Sequence, residues 1–102
     1  MKVRGHCHCG EITYEAEVKP GTVNVCHCRD CQMLSGTAFR AGIPAPAEGF
    51  SCAEHDPKSY TLRIGALSEP DALGHPAQQI WTKRRLSWMP KLDGVTDIEG
   101  QP

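Results

Sequence analysis

The chain has 102 residues, enough for one domain and too few for two independent cores. Only 39% of residues are apolar and 6% aromatic, so the core is expected to be modest, and a bound metal would add stability that side-chain burial alone does not supply. Eleven basic residues against twelve acidic ones give a formal net charge of −1, which lacks the excess that drives phosphate-backbone binding and excludes a nucleic-acid partner. Met1-Lys2-Val3-Arg4-Gly5 leads straight into cysteines with no apolar stretch behind the charges, which predicts neither a signal peptide nor a membrane span. The expected setting is the cytoplasm, where clustered thiols stay reduced and more often hold metal than pair as disulfides.

In chain order, Glu11 to Val18 alternates, with Ile12, Tyr14, Ala16 and Val18 on one side and mostly acidic residues on the other, the period of a half-buried strand. Lys19-Pro20-Gly21 reads as a turn and Thr22 to Cys26 as a second strand, the two expected to form a hairpin. Ala38 to Ile43 is predicted as a third strand ended by Pro44 and Pro46, and Lys58 to Ile64 as a fourth. Helical periodicity is weak, and only Leu67 to Leu73 is predicted to hold a short turn, with Ser68 capping and Pro70 near its start. Gln79 to Thr82 reads as a last short strand, and the segment from Pro90 as turns.

The six cysteines fall at 7, 9, 26, 28, 31 and 52, a clustered spacing. In Cys7-His8-Cys9 the thiols are two residues apart, so on an extended chain both point one way and can grip one ion. Cys26-His27-Cys28-Arg29-Asp30-Cys31 repeats that pair and adds two residues that let a knuckle turn swing Cys31 back, giving three thiolates for one metal. Spacing alone leaves open whether that ion is closed in structurally or keeps a fourth position for water or substrate. Thiolate-rich sites of short spacing favour zinc. Alternation directs His6, His8 and His27 away from the ligand face, to the surface or behind the ligands.

Read together, Gly5-His6-Cys7-His8-Cys9-Gly10, Cys26-His27-Cys28-Arg29-Asp30-Cys31 and Ser35-Gly36-Thr37-Ala38-Phe39 resemble the glutathione-dependent formaldehyde-activating family, which includes the centromere protein V type. The likeness resumes in Gly65 to Pro70, in Gln79-Ile80-Trp81 and in Leu86-Ser87-Trp88. It implies a mainly β, Mss4-like zinc-binding fold with little helix, spanning residues 1–102 as one unit. It also implies a catalytic zinc on Cys26, Cys28 and Cys31, and a structural zinc on Cys7 and Cys9 completed by a later Cys-x-x-Cys knuckle. That knuckle is missing: Tyr60-Thr61-Leu62-Arg63-Ile64 runs straight through its expected place, an apparent internal deletion. One or two zinc ions are therefore expected, and the Cys7/Cys9 pair would have to recruit Cys52, a histidine or a second chain.

The resemblance implies addition of glutathione to formaldehyde, or its reversal, a carbon–sulfur lyase type of reaction. Arg29 and Arg40, with Lys83, Arg84 and Arg85 further on, are the cations that could clamp the carboxylates of glutathione, although Lys83 to Arg85 reads equally as a solvated run. Cys52 matches no ligand position and is expected to be a buried small hydrophobe or an idle thiol. The alternative is a non-catalytic zinc-stabilised β module that binds a protein partner or senses thiols. A chain shortened in this way is also expected to cover exposed surface by forming a homodimer.

Overall fold

A computed structural model of the chain describes residues 1–46 and 59–102, so the end of the Lys58–Ile64 reading at Lys58 and the whole question of Cys52 lie outside the described residues. The architecture is mainly β, as expected. Strands β1 (Lys2–His6) and β2 (Thr13–Glu17) form a two-stranded antiparallel sheet. Strands β3 (Asn24–Cys26), β4 (Arg40–Pro46), β5 (Ser59–Arg63), β6 (Gln78–Ile80) and β7 (Thr96–Asp97) form a second sheet in the order β5-β4-β3-β6-β7. One α-helix among the described residues, α1 (Arg29–Ser35), links β3 to β4, and 3₁₀ turns occupy Ile64–Ala66, Pro70–Leu73 and Thr82–Arg84.

The hairpin expected between Glu11–Val18 and Thr22–Cys26 does not form. Thr13–Glu17 pairs instead with Lys2–His6, a strand the sequence reading missed because its outward positions are charged. The buried face sets the register, with Val3 and Ala16 turned inward, and the charges pair along the outer face, where Lys2 Nζ lies 3.0 Å and Arg4 Nε 3.2 Å from the Glu15 carboxylate. Opposite Gly5, the Tyr14 ring lies so close that a Cβ there would sit 2.3 Å from Tyr14 Cζ, a position only glycine fills without moving the ring. Ile12, expected on the buried side, is 58% exposed, because the strand begins only at Thr13.

Strand β4 does not stop at Pro44 but continues through Pro46. Strand β3 pairs with it only from Arg40 to Gly42, so beyond that point the missing N–H groups of Pro44 and Pro46 are not required by this neighbour. The short turn near Pro70 is present, but Glu69 precedes it and Ser68 does not cap it. The last strand covers Gln78–Ile80 rather than Gln79 to Thr82, and the segment after Pro90 adds β7, parallel to β6.

The core lies between the sheets. Val3 and Ala16 of the small sheet meet Ile43, Ala45 and Leu62 of the large one, with Val18, Val23, Leu67 and Leu73 closing the cluster. Most of these are small or β-branched, which suits tightly apposed strands. Strand β3, central in the large sheet, therefore leaves the core at its C-terminal end and carries Cys26 directly into α1. No helix among the described residues is long and apolar enough to cross a membrane.

Candidate metal centre

Cys26 ends β3, Cys28 is the N-cap of α1, and Cys31 lies in its first turn. Their sulfur atoms all fall within 4.8 Å of one another. The expected knuckle is thus the start of a helix: Cys28 has extended backbone, and its Sγ accepts from the Cys31 N–H at 3.3 Å. The helix lasts seven residues and ends at Gly36 in the left-handed conformation, whose N–H returns to the Gln32 carbonyl. Two short elements thereby fix three thiols in space.

Their electrostatics differ. Burial pushes the Cys26 thiol up to about 12, with the neighbouring thiols Cys31 and Cys28 adding to it. At Cys28 burial opposes ionisation, but the hydrogen bond from the Cys31 N–H and those from the other two thiols outweigh it and hold Cys28 below the usual range. The metal-free cluster therefore retains protons that a bound cation would expel. Three convergent sulfurs fit a soft divalent cation such as zinc, which takes thiolate ligands in tetrahedral arrangement and would keep a fourth position.

Behind the thiols stands a buried polar chain, of which the sequence reading anticipated only His27, as one of its two alternatives for that residue. His27 is fully buried, its ring 5.9 Å from that of Phe39, and its Nε2 lies 3.0 Å from Gln79 Nε2. Since that Gln79 atom is an amide donor, His27 Nε2 accepts and the proton of the neutral ring sits on Nδ1, an atom with no hydrogen-bond partner among the described residues. Burial, aided by the Arg85 charge, keeps the imidazole below its usual value, so it is neutral. Gln79, also fully buried, accepts at Oε1 from Arg85 Nη1 and from the Leu92 N–H, both at 3.4 Å, and Arg85 Nη2 is 3.1 Å from Asp97 Oδ2. On the helix side Gln32 donates to the His27 carbonyl at 3.0 Å and to the Arg84 carbonyl at 3.2 Å. These bonds tie the C-terminal third of the chain to the cysteine loop. The reading of Lys83 to Arg85 as a solvated run holds for Lys83 and Arg84, which are exposed, with Lys83 Nζ 4.9 Å over the Trp81 ring; Arg85 departs from it, half-buried against Asp97.

The thiols open onto a cleft of about 510 Å³ lined by Cys26, Cys28 and Cys31 together with Asn24, Asp30, Leu34, Arg40, Pro44 and Trp81. Arg40 is brought to the cluster by its register opposite Cys26. Arg29 is not in the lining; it is exposed and donates to Gln32 Oε1 at 3.3 Å. Trp81 adopts a left-handed backbone (φ 56°), stabilised by its Nε1 donating to Gln101 at 3.0 Å and its backbone N–H to Gly100. Trp81 follows the end of β6 and lines the cleft together with Ile80, while the buried Gln79 is not part of that lining.

Cys7 and Cys9 come together without being on a strand. They follow β1 in a turn, with Cys7 Sγ 3.3 Å from Cys9 Sγ and accepting from the Ile12 N–H at 3.3 Å. That N–H, with the Cys9 thiol beside it, brings Cys7 down to about 7. No third metal-binding side chain joins them among the described residues: Cys26, Cys28 and Cys31 form the one such group. His6 and His8 are exposed, and His6 Nδ1 engages the Cys7 carbonyl at 2.7 Å. Among the described residues the pair therefore has two of the four ligands that a structural zinc takes.

A family model described as glutathione-dependent formaldehyde-activating enzyme matches residues 2–63, from β1 to the end of β5. No curated protein matches the chain.

Proposed function

The chain belongs to the glutathione-dependent formaldehyde-activating enzyme family, and we propose that it is a zinc-dependent enzyme of carbon–sulfur lyase type. It adds glutathione or a similar thiol to formaldehyde or another small aldehyde, or reverses that addition. The observation that carries this reading is the convergence of three thiols within 4.8 Å on the wall of a cleft, with no fourth donor beside them among the described residues.

Zinc held by Cys26, Cys28 and Cys31 would supply a charge that keeps an incoming thiol deprotonated near neutral pH. The chain's own groups do the rest. Arg40 receives a carboxylate of the thiol substrate, and the indole of Trp81 with Leu34 and Pro44 forms an apolar wall beside the reacting carbons. As the sulfur bonds to the carbonyl carbon, the C=O π bond opens and its oxygen takes up the proton that the thiol has given up, and Asp30 in the cleft lining is the acid–base group we assign to take that proton from the thiol and give it to the oxygen. The neutral His27 holds the loop from behind through Gln79 and does not face the cleft lining. Such chemistry belongs in a reducing compartment, the cytoplasm, where thiols persist.

Replacing Cys28 with serine tests this. Both zinc content and turnover to the thiol adduct should collapse; if both stay at the wild-type level, the reading is wrong. The absent knuckle favours a second reading, a zinc-stabilised module that binds a protein partner. Saturable glutathione binding dependent on Arg40 supports the enzyme, and zinc retention with no glutathione binding supports the module.

A further inference from the structure

A second cleft, of about 570 Å³, adjoins the first, with Arg40 lining both. It is lined by Cys7, His6, His8, Arg40 and Arg63 over an apolar floor that includes Phe39 and Leu67. Its volume is within the range of small-molecule sites. Among the described residues neither Arg40 nor Arg63 is ion-paired, so the lining presents two guanidinium groups beside one thiol. Cys9, whose sulfur is 3.3 Å from that of Cys7, is exposed and outside the lining.

We propose that Cys7 and Cys9 form a redox dithiol that exchanges with a small anionic disulfide bound in this cleft. Family membership implies a structural zinc here, but among the described residues the two sulfurs have no third donor, and the same pair is well disposed for sulfur exchange. A disulfide needs its sulfurs at about 2.0 Å, a closure of roughly 1.3 Å for two side chains on an exposed turn. In the first step the Cys7 sulfur attacks one sulfur of the bound disulfide. The new bond joins Cys7 to half of the ligand, the ligand's own S–S bond breaks, and the leaving half takes the proton that Cys7 gives up. In the second step the Cys9 sulfur attacks Cys7, the mixed disulfide breaks, and the remaining half leaves as a thiol with the Cys9 proton. The dithiol loses two electrons and the ligand gains them, so one disulfide becomes two thiols. Cys7 attacks first because it lines the cleft, and Cys9 resolves because it lies outside the lining with its sulfur beside that of Cys7. Arg40 and Arg63 select ligands that carry carboxylates. None of this depends on aldehyde turnover at the other cleft.

The test uses the full-length, zinc-loaded protein with glutathione disulfide as probe, read by intact mass and peptide mapping. The expected result is a Cys7–Cys9 disulfide and two glutathione molecules released per chain. Cys9→Ser should stop at a single glutathionyl group on Cys7, and Cys7→Ser should do neither. Arg63→Gln should slow the reaction about tenfold with glutathione disulfide and leave it unchanged with the uncharged hydroxyethyl disulfide. The proposal is overturned if Cys7 and Cys9 remain thiols, if they hold a second zinc that blocks exchange, or if either pairs instead with Cys52 or with another chain.

Discussion

Gln79 joins several separate features of the fold: it is fully buried, it holds His27 between Cys26 and Cys28, and it receives Arg85 and the Leu92 N–H. Replacing it with leucine preserves volume but leaves His27 Nε2 and the two donors without partners. A buried polar group left unsatisfied costs about 1–3 kcal/mol, so Gln79→Leu should lower the urea-unfolding free energy by about 2 kcal/mol and weaken zinc retention as the loop loosens. Equal stability would mean that water replaces the amide. Cys26 gives a prediction about pH. Its thiol, pushed up to about 12, must lose a proton to bind metal, so zinc affinity should rise with pH between about 6 and 8, and calorimetry in buffers of different ionisation enthalpy should detect protons released on binding. An affinity independent of pH would place the metal elsewhere.

At the scale of elements, α1 is too short to stand alone, since isolated helices of fewer than about 12 residues are marginal in water. Its ends do the work that length cannot: Cys28 caps the start and Gly36, at φ 66°, ends it. A left-handed residue other than glycine costs about 1–2 kcal/mol, so Gly36→Val should destabilise the protein by about that amount, measured by thermal unfolding, and Gly36→Asn by less. The helix itself was not legible in the sequence, because seven residues show too little periodicity, and the three cysteines read equally well as a knuckle. Their convergence was legible, since a pair two apart on a strand and a third residue three further on meet in either case. The alternation of Tyr14, Ala16 and Val18 also read correctly as a strand with one buried face. Its partner did not, because pairing is decided by which buried faces meet across the sheet, here Val3 against Ala16, rather than by chain order. Gln79, Arg85 and Asp97 were missed for the same reason: a polar network assembled from three separated segments leaves no local pattern.

For the molecule as a whole, the described core rests on valine, alanine, leucine and isoleucine, with Tyr14, Tyr60 and Ile64 packed at its edge. The cysteine cluster is not inside that core. It sits where β3, α1 and β4 meet, the point at which the C-terminal segment is tied on through His27 and Gln32. A metal bound only by the folded state stabilises it by about 2.7 kcal/mol when present at 100 times its dissociation constant. For a chain of about this size that corresponds to roughly 10–20 °C in melting temperature. Removing zinc with a chelator should therefore lower the melting temperature by about that much, and returning zinc should restore it. Hydrogen exchange should show where the loss begins. His27, whose N–H donates to the Ile80 carbonyl, and Thr82, whose N–H donates to Ile98, should exchange faster on chelation, while Val18, bonded to Met1 at the far sheet, should change little. Uniform loss of protection would instead mean that the metal supports both sheets, and no loss at all would mean that the cluster is preorganised by the buried chain behind it and carries metal for chemistry alone.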